Sequence, residues 1–146
     1  MKLIPYKKDH WDLFQCQEYD LKSFDANGFD SIKLAAEHGM FFSLIDDGRI
    51  IVIGGILQVS QHTGHCVTIV SDYAKGYGVR LVKIIKNQLE NIMKDMRIHR
   101  VETSNLEDAT KQHQWCGLLG FQSEGFMRHY DDKKRNYIRF AKLMEV

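Results

Sequence analysis

Lys75-Gly76-Tyr77-Gly78 is the stretch of this chain whose residue types most directly imply chemistry. A β-branched run, Val67–Val70, reaches it through the polar Ser71-Asp72-Tyr73-Ala74, and a long apolar-periodic segment starts after it at Val79. A strand entering a glycine loop that opens a helix is a cradle for phosphate. Glycine lets the main chain come close to an anion, and free N–H groups with the helix dipole attract it. No Gly-Lys-Ser/Thr follows, so this is not a Walker loop. The GxG does not follow the strand directly, and no acidic residue closes the next strand convincingly, which excludes the dinucleotide fingerprint. Taken alone, such a loop also reads as a plain helix cap.

Two other groups invite a chemical reading. His62-Thr63-Gly64-His65-Cys66 has the look of a metal-ligand set, yet no carboxylate or second cysteine lies near it. A structural zinc takes four ligands, so a polar turn before a strand is the better reading and no metal is expected. The cysteines Cys16, Cys66 and Cys116 are odd in number and form no CxxC pair. That pattern fits a reducing cytoplasm better than a disulfide framework.

The elements that must position these residues follow from patterning. Lys2–Tyr6 is extended. A helix opening at Asp9 or His10 carries Trp11, Leu13, Phe14, Tyr19 and Leu21, breaks over Ser23–Asp30, and gives way to a second helix, Ser31–His38, ended by Gly39. Asp46-Asp47-Gly48 between the apolar runs Met40–Ile45 and Arg49–Val59 predicts a hairpin. Gly54-Gly55 predicts a bulge or bend within the second run. Cys66–Val70 reads as a strand buried on both faces. Leu81, Ile84, Ile85, Leu89, Ile92 and Met96 repeat at helical spacing over Val79–Met96. Arg100–Asn105 is a strand, and Glu107–Leu119 a helix ended by Gly120. Glu124–Tyr130 and Tyr137–Leu143 form a closing hairpin.

One strand–helix–strand crossover, Val67 to Thr103, predicts a parallel pair flanked by antiparallel hairpins. The expected class is mixed α/β (α+β): about seven strands, mostly antiparallel, with helices on both faces, in one domain spanning 1–146. With 146 residues, 44% hydrophobic and 27% charged, the composition is globular. A net charge of +1 gives no global pull toward nucleic acid, so the basic side of the long helix (Arg80, Lys83, Lys86, Lys94, Arg97) is read as a solvated face. The longest uncharged apolar run, Ile50–Leu57, is too short to cross a bilayer, and no membrane partner is expected.

Across nearly its whole length the chain resembles the GNAT superfamily of N-acetyltransferases. In that family the segment Q/R-x-x-G-x-G/A at the start of the central helix grips the pyrophosphate of acetyl-CoA; here Tyr73-Ala74-Lys75-Gly76-Tyr77-Gly78 stands in its place. Leu118-Leu119-Gly120-Phe121 matches the family's Leu-Gly-Phe, and Glu124–Tyr130 with Asn136–Ala141 look like its last two strands. Three positions depart from the pattern. Tyr73 replaces Gln/Arg, leaving Lys75 as a point charge. Cys116 stands where the family carries a general-acid Tyr. Ala109 replaces an Asn, with Asn105 one helical turn earlier. These departures look more like the short GNAT-like proteins of bacteriophages, some of which are virion components.

The resemblance implies direct acetyl transfer from acetyl-CoA to an amine. The cofactor-binding set is Ile69, Val70, Ser71, Lys75, Gly76, Tyr77, Gly78, Val79 and Asn105. Ile69 or Val70 offers a backbone N–H to the thioester oxygen at a splayed strand pair. Asp72, Glu102, or a water held by Ser71, Thr103 or Ser104 would be the base. Cys116, beside Trp115, is either the acid toward the departing thiolate or a small buried hydrophobe. The implied partners are acetyl-CoA and an amine of a small molecule or protein, and a homodimer stays open. The alternative is a GNAT-like scaffold without turnover, a structural or binding protein of a phage, located in the host cytoplasm or the virion.

Overall fold

The computed structural model describes residues 1–14 and 29–144. Seven strands form one sheet in the order β1-β2-β3-β4-β5-β7-β6. They are β1 (Lys2–Pro5), β2 (Met40–Asp46), β3 (Arg49–Gln58), β4 (Thr63–Val70), β5 (Arg100–Leu106), β6 (Gln122–Met127) and β7 (Tyr137–Leu143). The helices are α1 (Phe29–His38), α2 (Gly78–Met96) and α3 (Thr110–Leu118), with short 3-10 turns at Lys8–Leu13 and Asp72–Ala74. All neighbouring strands pair antiparallel except β4 and β5, as the crossover requires. The expected helix of Trp11 to Leu21 is a 3-10 turn over its first part; Tyr19, Leu21, the break through Asn27-Gly28, and Cys16 lie outside the described residues.

The β2–β3 hairpin turns on Asp47 and Gly48, both at positive φ (52° and 71°). This is the geometry a two-residue turn needs to match strand twist, and Asp-Gly supplies it at low cost. In α2, Leu81, Ile85, Leu89, Ile92 and Met93 are buried along one stripe. They meet Phe42, Leu44, Val52, Ile56, Cys66 and Val101 from the sheet. The opposite face is covered near its N-terminal end, where His10 of the 3-10 turn shares a 2.7 Å hydrogen bond with the fully buried Ser43 of β2. Helix α2 stops at Arg97, which takes a left-handed φ of 56° and returns its N–H to Lys94 and Met93.

Three expectations are corrected. Gly54 and Gly55 pair in regular register with both neighbours, and the one register shift of this hairpin falls at Leu44/Ile45 instead. The glycines are there for space: a Cβ on Gly55 would sit 2.3 Å from the Met40 carbonyl oxygen and 2.5 Å from the Phe41 ring. Gly55→Ala is accordingly expected to lower stability by about 1–3 kcal/mol, the usual range for overpacking, as read from urea midpoints. An unchanged midpoint would show that strand β2 can shift away freely. Second, Cys66–Val70 is buried on both faces only in part: Cys66 and Ile69, on opposite faces, are buried, while Val67, Thr68 and Val70 are half-buried. Third, α3 begins at Thr110 rather than Glu107, because β5 continues to Leu106 and the chain turns before the helix.

Candidate active site

β4 and β5 pair only over Thr63↔Arg100, Gly64↔Val101 and His65↔Glu102. β4 then runs on to Val70 and β5 to Leu106 without pairing, so the sheet opens into a V whose vertex is the His65–Glu102 pair. On its other side β4 stays laddered to β3 as far as Val70. Ser71 donates its N–H to Ile51 O at 2.9 Å, which sets the parity of that ladder. Odd-numbered residues of β4 face β3 with their backbone groups, and even-numbered ones face the V. Beyond the vertex, therefore, Thr68 and Val70 present unpaired N–H and C=O groups to the opening. Ile69 points its N–H at β3, so of the two expected thioester donors only Val70 faces the cleft.

A cavity of about 230 Å³ fills the V on the α2–α3 side of the sheet. Cys66, Thr68 and Val70 of β4 line one wall, and Thr103 and Asn105 of β5 the other. Alternation along the strands puts these side chains on one face. Helix α3 roofs the cavity with Lys111, Gln112, Trp115 and Cys116, and Leu119 and Phe121 follow at its end. Ala74 and Lys75 stand at the opposite end, leading to the glycine loop.

The loop meets the requirements of an anion cradle. Gly76 and Gly78 hold φ of 96° and 56°, and a Cβ on either would meet nothing within 4 Å. Tyr77 gives α2 no side-chain cap, so the N–H groups of the first turn have no helical acceptor. Ser71 is fully buried and its hydroxyl accepts the Tyr73 N–H at 3.2 Å, bracing the strand's exit. The Tyr77 hydroxyl donates to Asp46 at the β2–β3 hairpin, which holds that carboxyl below its usual range and ties the loop to the sheet. Val79 is exposed beside it. The Tyr73 ring packs against the core beneath the Arg49 guanidinium, 4.6 Å from the ring centre.

Deeper in, the Asn105 amide donates to Cys116 Sγ at 3.2 Å. Burial pushes the Cys116 thiol up to about 11, a shift the Asn105 hydrogen bond opposes. The thiol is therefore protonated at neutral pH. Cys66, nearer the vertex, is pushed up to about 12, also by burial. Gln112 Oε1 is buried with no hydrogen-bond partner among the described residues.

Of the expected bases, Asp72 sits in the 3-10 turn and does not line the cavity. Glu102 has both oxygens engaged, one by Arg100 Nε at 2.9 Å and the other by Arg139. The Ser104 hydroxyl is buried without a partner among the described residues. Sequence reasoning passed over His65 by treating it as part of a turn. It stands at the vertex, on the face opposite the cavity, and burial followed by the Arg139 charge lowers its pKa. Lys111, Gln112 and Thr68 were also missed, since they carry no motif and join the site only through packing. Among the described residues no three His, Cys, Asp or Glu groups gather to hold a metal.

No family model matches the chain, and no curated protein matches it by sequence. Solved structures do match. An IAA acetyltransferase from Bacillus cereus ATCC 14579 superposes with a TM-score of 0.75 at 16% identity, over 98% of this chain and 99% of that one. A variant spermidine N-acetyltransferase from Vibrio cholerae gives 0.72 at 14%, over 98% and 95%. A GNAT-family acetyltransferase from Bacillus anthracis gives 0.70 at 13%, over 97% and 93%. The fold is the GNAT fold. At these identities the likeness is one of architecture, and the chemistry has to be argued from this chain's own cleft. In the GNAT fold of this protein, the V and α3 enclose one cavity that Lys75 borders; Gly76, Tyr77, Gly78 and Val79 follow beyond its lining. No helix among the described residues is long and apolar enough to cross a membrane.

Proposed function

We propose that this chain is an acetyl-CoA-dependent N-acetyltransferase that moves acetyl directly to an amine. The reading rests on one observation above the rest: an unpaired strand edge, a protonated thiol and an orphaned amide oxygen share a cavity that leads to a glycine loop. The diphosphate takes the N–H groups of the loop and the first turn of α2 over Gly76, Gly78 and Val79, with Lys75 and Lys111 as cations at the mouth. The pantetheine arm lies along β4, its amides pairing with the main chain of Val70 and one N–H donating to Gln112 Oε1. This satisfies groups that would otherwise remain buried without partners.

The register carries on from His65↔Glu102, so Thr68 lies level with Asn105, and Asn105 holds Cys116. A thioester at that level has for its oxygen the Thr68 N–H, the next cleft-facing donor inward from the expected Val70, and the Cys116 thiol for its sulfur. Attack by a neutral amine forms the C–N bond and pushes the C=O electrons onto oxygen, where the backbone dipole stabilises them. Collapse breaks the C–S bond, and Cys116 protonates the leaving thiolate. The amine's proton leaves on the opposite face through water, which the Ser104 hydroxyl beside the Asn105 level can hold, toward the neutral His65 three residues farther down the strand. Exchange with solvent returns a proton to Cys116 and takes one from the opposite face, so the cycle closes without net proton change.

Acetyl-CoA is expected to raise the melting temperature by mass action. At a hundredfold excess over its dissociation constant the gain is about 2.7 kcal/mol. An unmoved melting curve at millimolar acetyl-CoA would sink the cofactor assignment and leave the fold untouched. A second reading, a binding scaffold of the kind some phages carry, is favoured by Tyr73, whose half-buried ring lies between the core and the Arg49 guanidinium. Tight binding without thiol release across a broad panel of amines would select it.

A further inference from the structure

The cavity does not end where the proposed thioester sits. Thr68 lies level with Asn105, but the lining continues toward the vertex to Cys66, and to Leu119 and Phe121 at the end of α3. Two residues of strand separate Thr68 from Cys66, about 6.6 Å. A single carbon–carbon bond, all that an acetyl group extends beyond its carbonyl, covers about 1.5 Å. The walls of this inner end are apolar or nearly so. Leu119 and Phe121 are buried side chains, and Cys66 is 4% exposed with the Thr68 hydroxyl 3.7 Å from its thiol; the nearby charge is the buried Lys142 ammonium, which donates to the Leu119 carbonyl oxygen at 2.7 Å. None of these three side chains has a part in the transfer step proposed above.

Resting on the acyltransferase reading, we infer that this site takes a donor whose acyl chain is longer than acetyl, propionyl or butyryl, with its tail lodged against Cys66, Leu119 and Phe121. An acetyl methyl at the Thr68 level makes fewer contacts with those walls than a longer tail would, and an apolar wall without a partner forfeits dispersion and transfer energy. Each added methylene recovers part of it. The vertex limits the series, because the strands close at His65–Glu102 and leave no room for a long chain.

The test is calorimetric titration of the protein with CoA, acetyl-CoA, propionyl-CoA, butyryl-CoA and decanoyl-CoA. Propionyl-CoA is expected to bind about fourfold more tightly than acetyl-CoA, the value of one buried methylene. Butyryl-CoA should bind at least as well as propionyl-CoA, and decanoyl-CoA more weakly than either. Cys66→Val, which adds bulk at the inner end, should erase the preference while leaving CoA affinity within about twofold. If Cys66→Val does not fold, the wild-type series decides alone. Affinity that is flat or falls from acetyl to propionyl overturns the inference and leaves the acetyltransferase reading standing. Failure of CoA and every acyl-CoA to bind overturns both.

Discussion

Gly76→Val and Gly78→Val are each expected to abolish measurable acetyl-CoA binding with only a moderate loss of stability. The two effects separate because of where the side chain would go. A Cβ at either position meets no atom within 4 Å outside its own stretch of chain, so the first carbon of the new side chain displaces no packed neighbour. What the fold loses is backbone ease: φ of 96° and 56° strain a β-branched residue, at a cost of roughly 1–3 kcal/mol. The open space into which the side chain projects is the space a diphosphate needs. Charge-assisted hydrogen bonds contribute about 1.5–3 kcal/mol each, so displacing two of them weakens binding about 10²–10⁴-fold. Titration calorimetry beside a thermal melt reads both quantities. Normal binding by either variant would mean that the loop only starts a helix and that the phosphates lie elsewhere.

Cys116→Ala is expected to lower the rate of acyl transfer by about 10²–10⁴-fold, the usual contribution of a general acid, with donor affinity nearly unchanged. Two features bear on the task. Burial pushes the thiol up to about 11, so it carries its proton at neutral pH but yields it less readily than a free thiol, and the Asn105 amide holds the sulfur in place from β5 at 3.2 Å. Asn105→Ala should therefore slow transfer in the same direction by a smaller factor, since it leaves the proton but not its aim. Cys116→Tyr offers a phenol in place of the thiol and should restore part of the rate if the roof of the cavity admits the ring. The measurement is release of free CoA with an acceptor drawn from an amine panel, followed as kcat and KM separately. A rate indifferent to Cys116→Ala would make this cysteine a small buried hydrophobe and no more.

The architecture was legible in the chain because its elements are specified locally. Asp47-Gly48 supplies two consecutive positive φ values, and few other pairs do so cheaply. The stripe Leu81, Ile85, Leu89, Ile92 repeats at the period of a helix face, and Gly76 and Gly78 mark a loop that needs bare backbone. These signals, in their order along the chain, are enough for a mixed sheet with one parallel pair and a cradle at its crossover. The site is another matter. Whether Ile69 or Val70 turns its N–H into the cleft depends on the parity of pairing with β3, which Ser71 and Ile51 set from twenty residues apart. The meeting of Asn105 with Cys116 depends on how α3 crosses β5. Gly54-Gly55 looks like a bulge in one strand, and only the neighbouring Phe41 and Met40 reveal it as a tight fit. Glu102 reads as a free base until Arg100 and Arg139 close on it from two strands. Backbone conformation is chosen by residues next to one another, and a short window of sequence contains them. Which atoms face a cavity is decided by strand register and helix crossing, and those are settled by contacts between residues far apart in the chain.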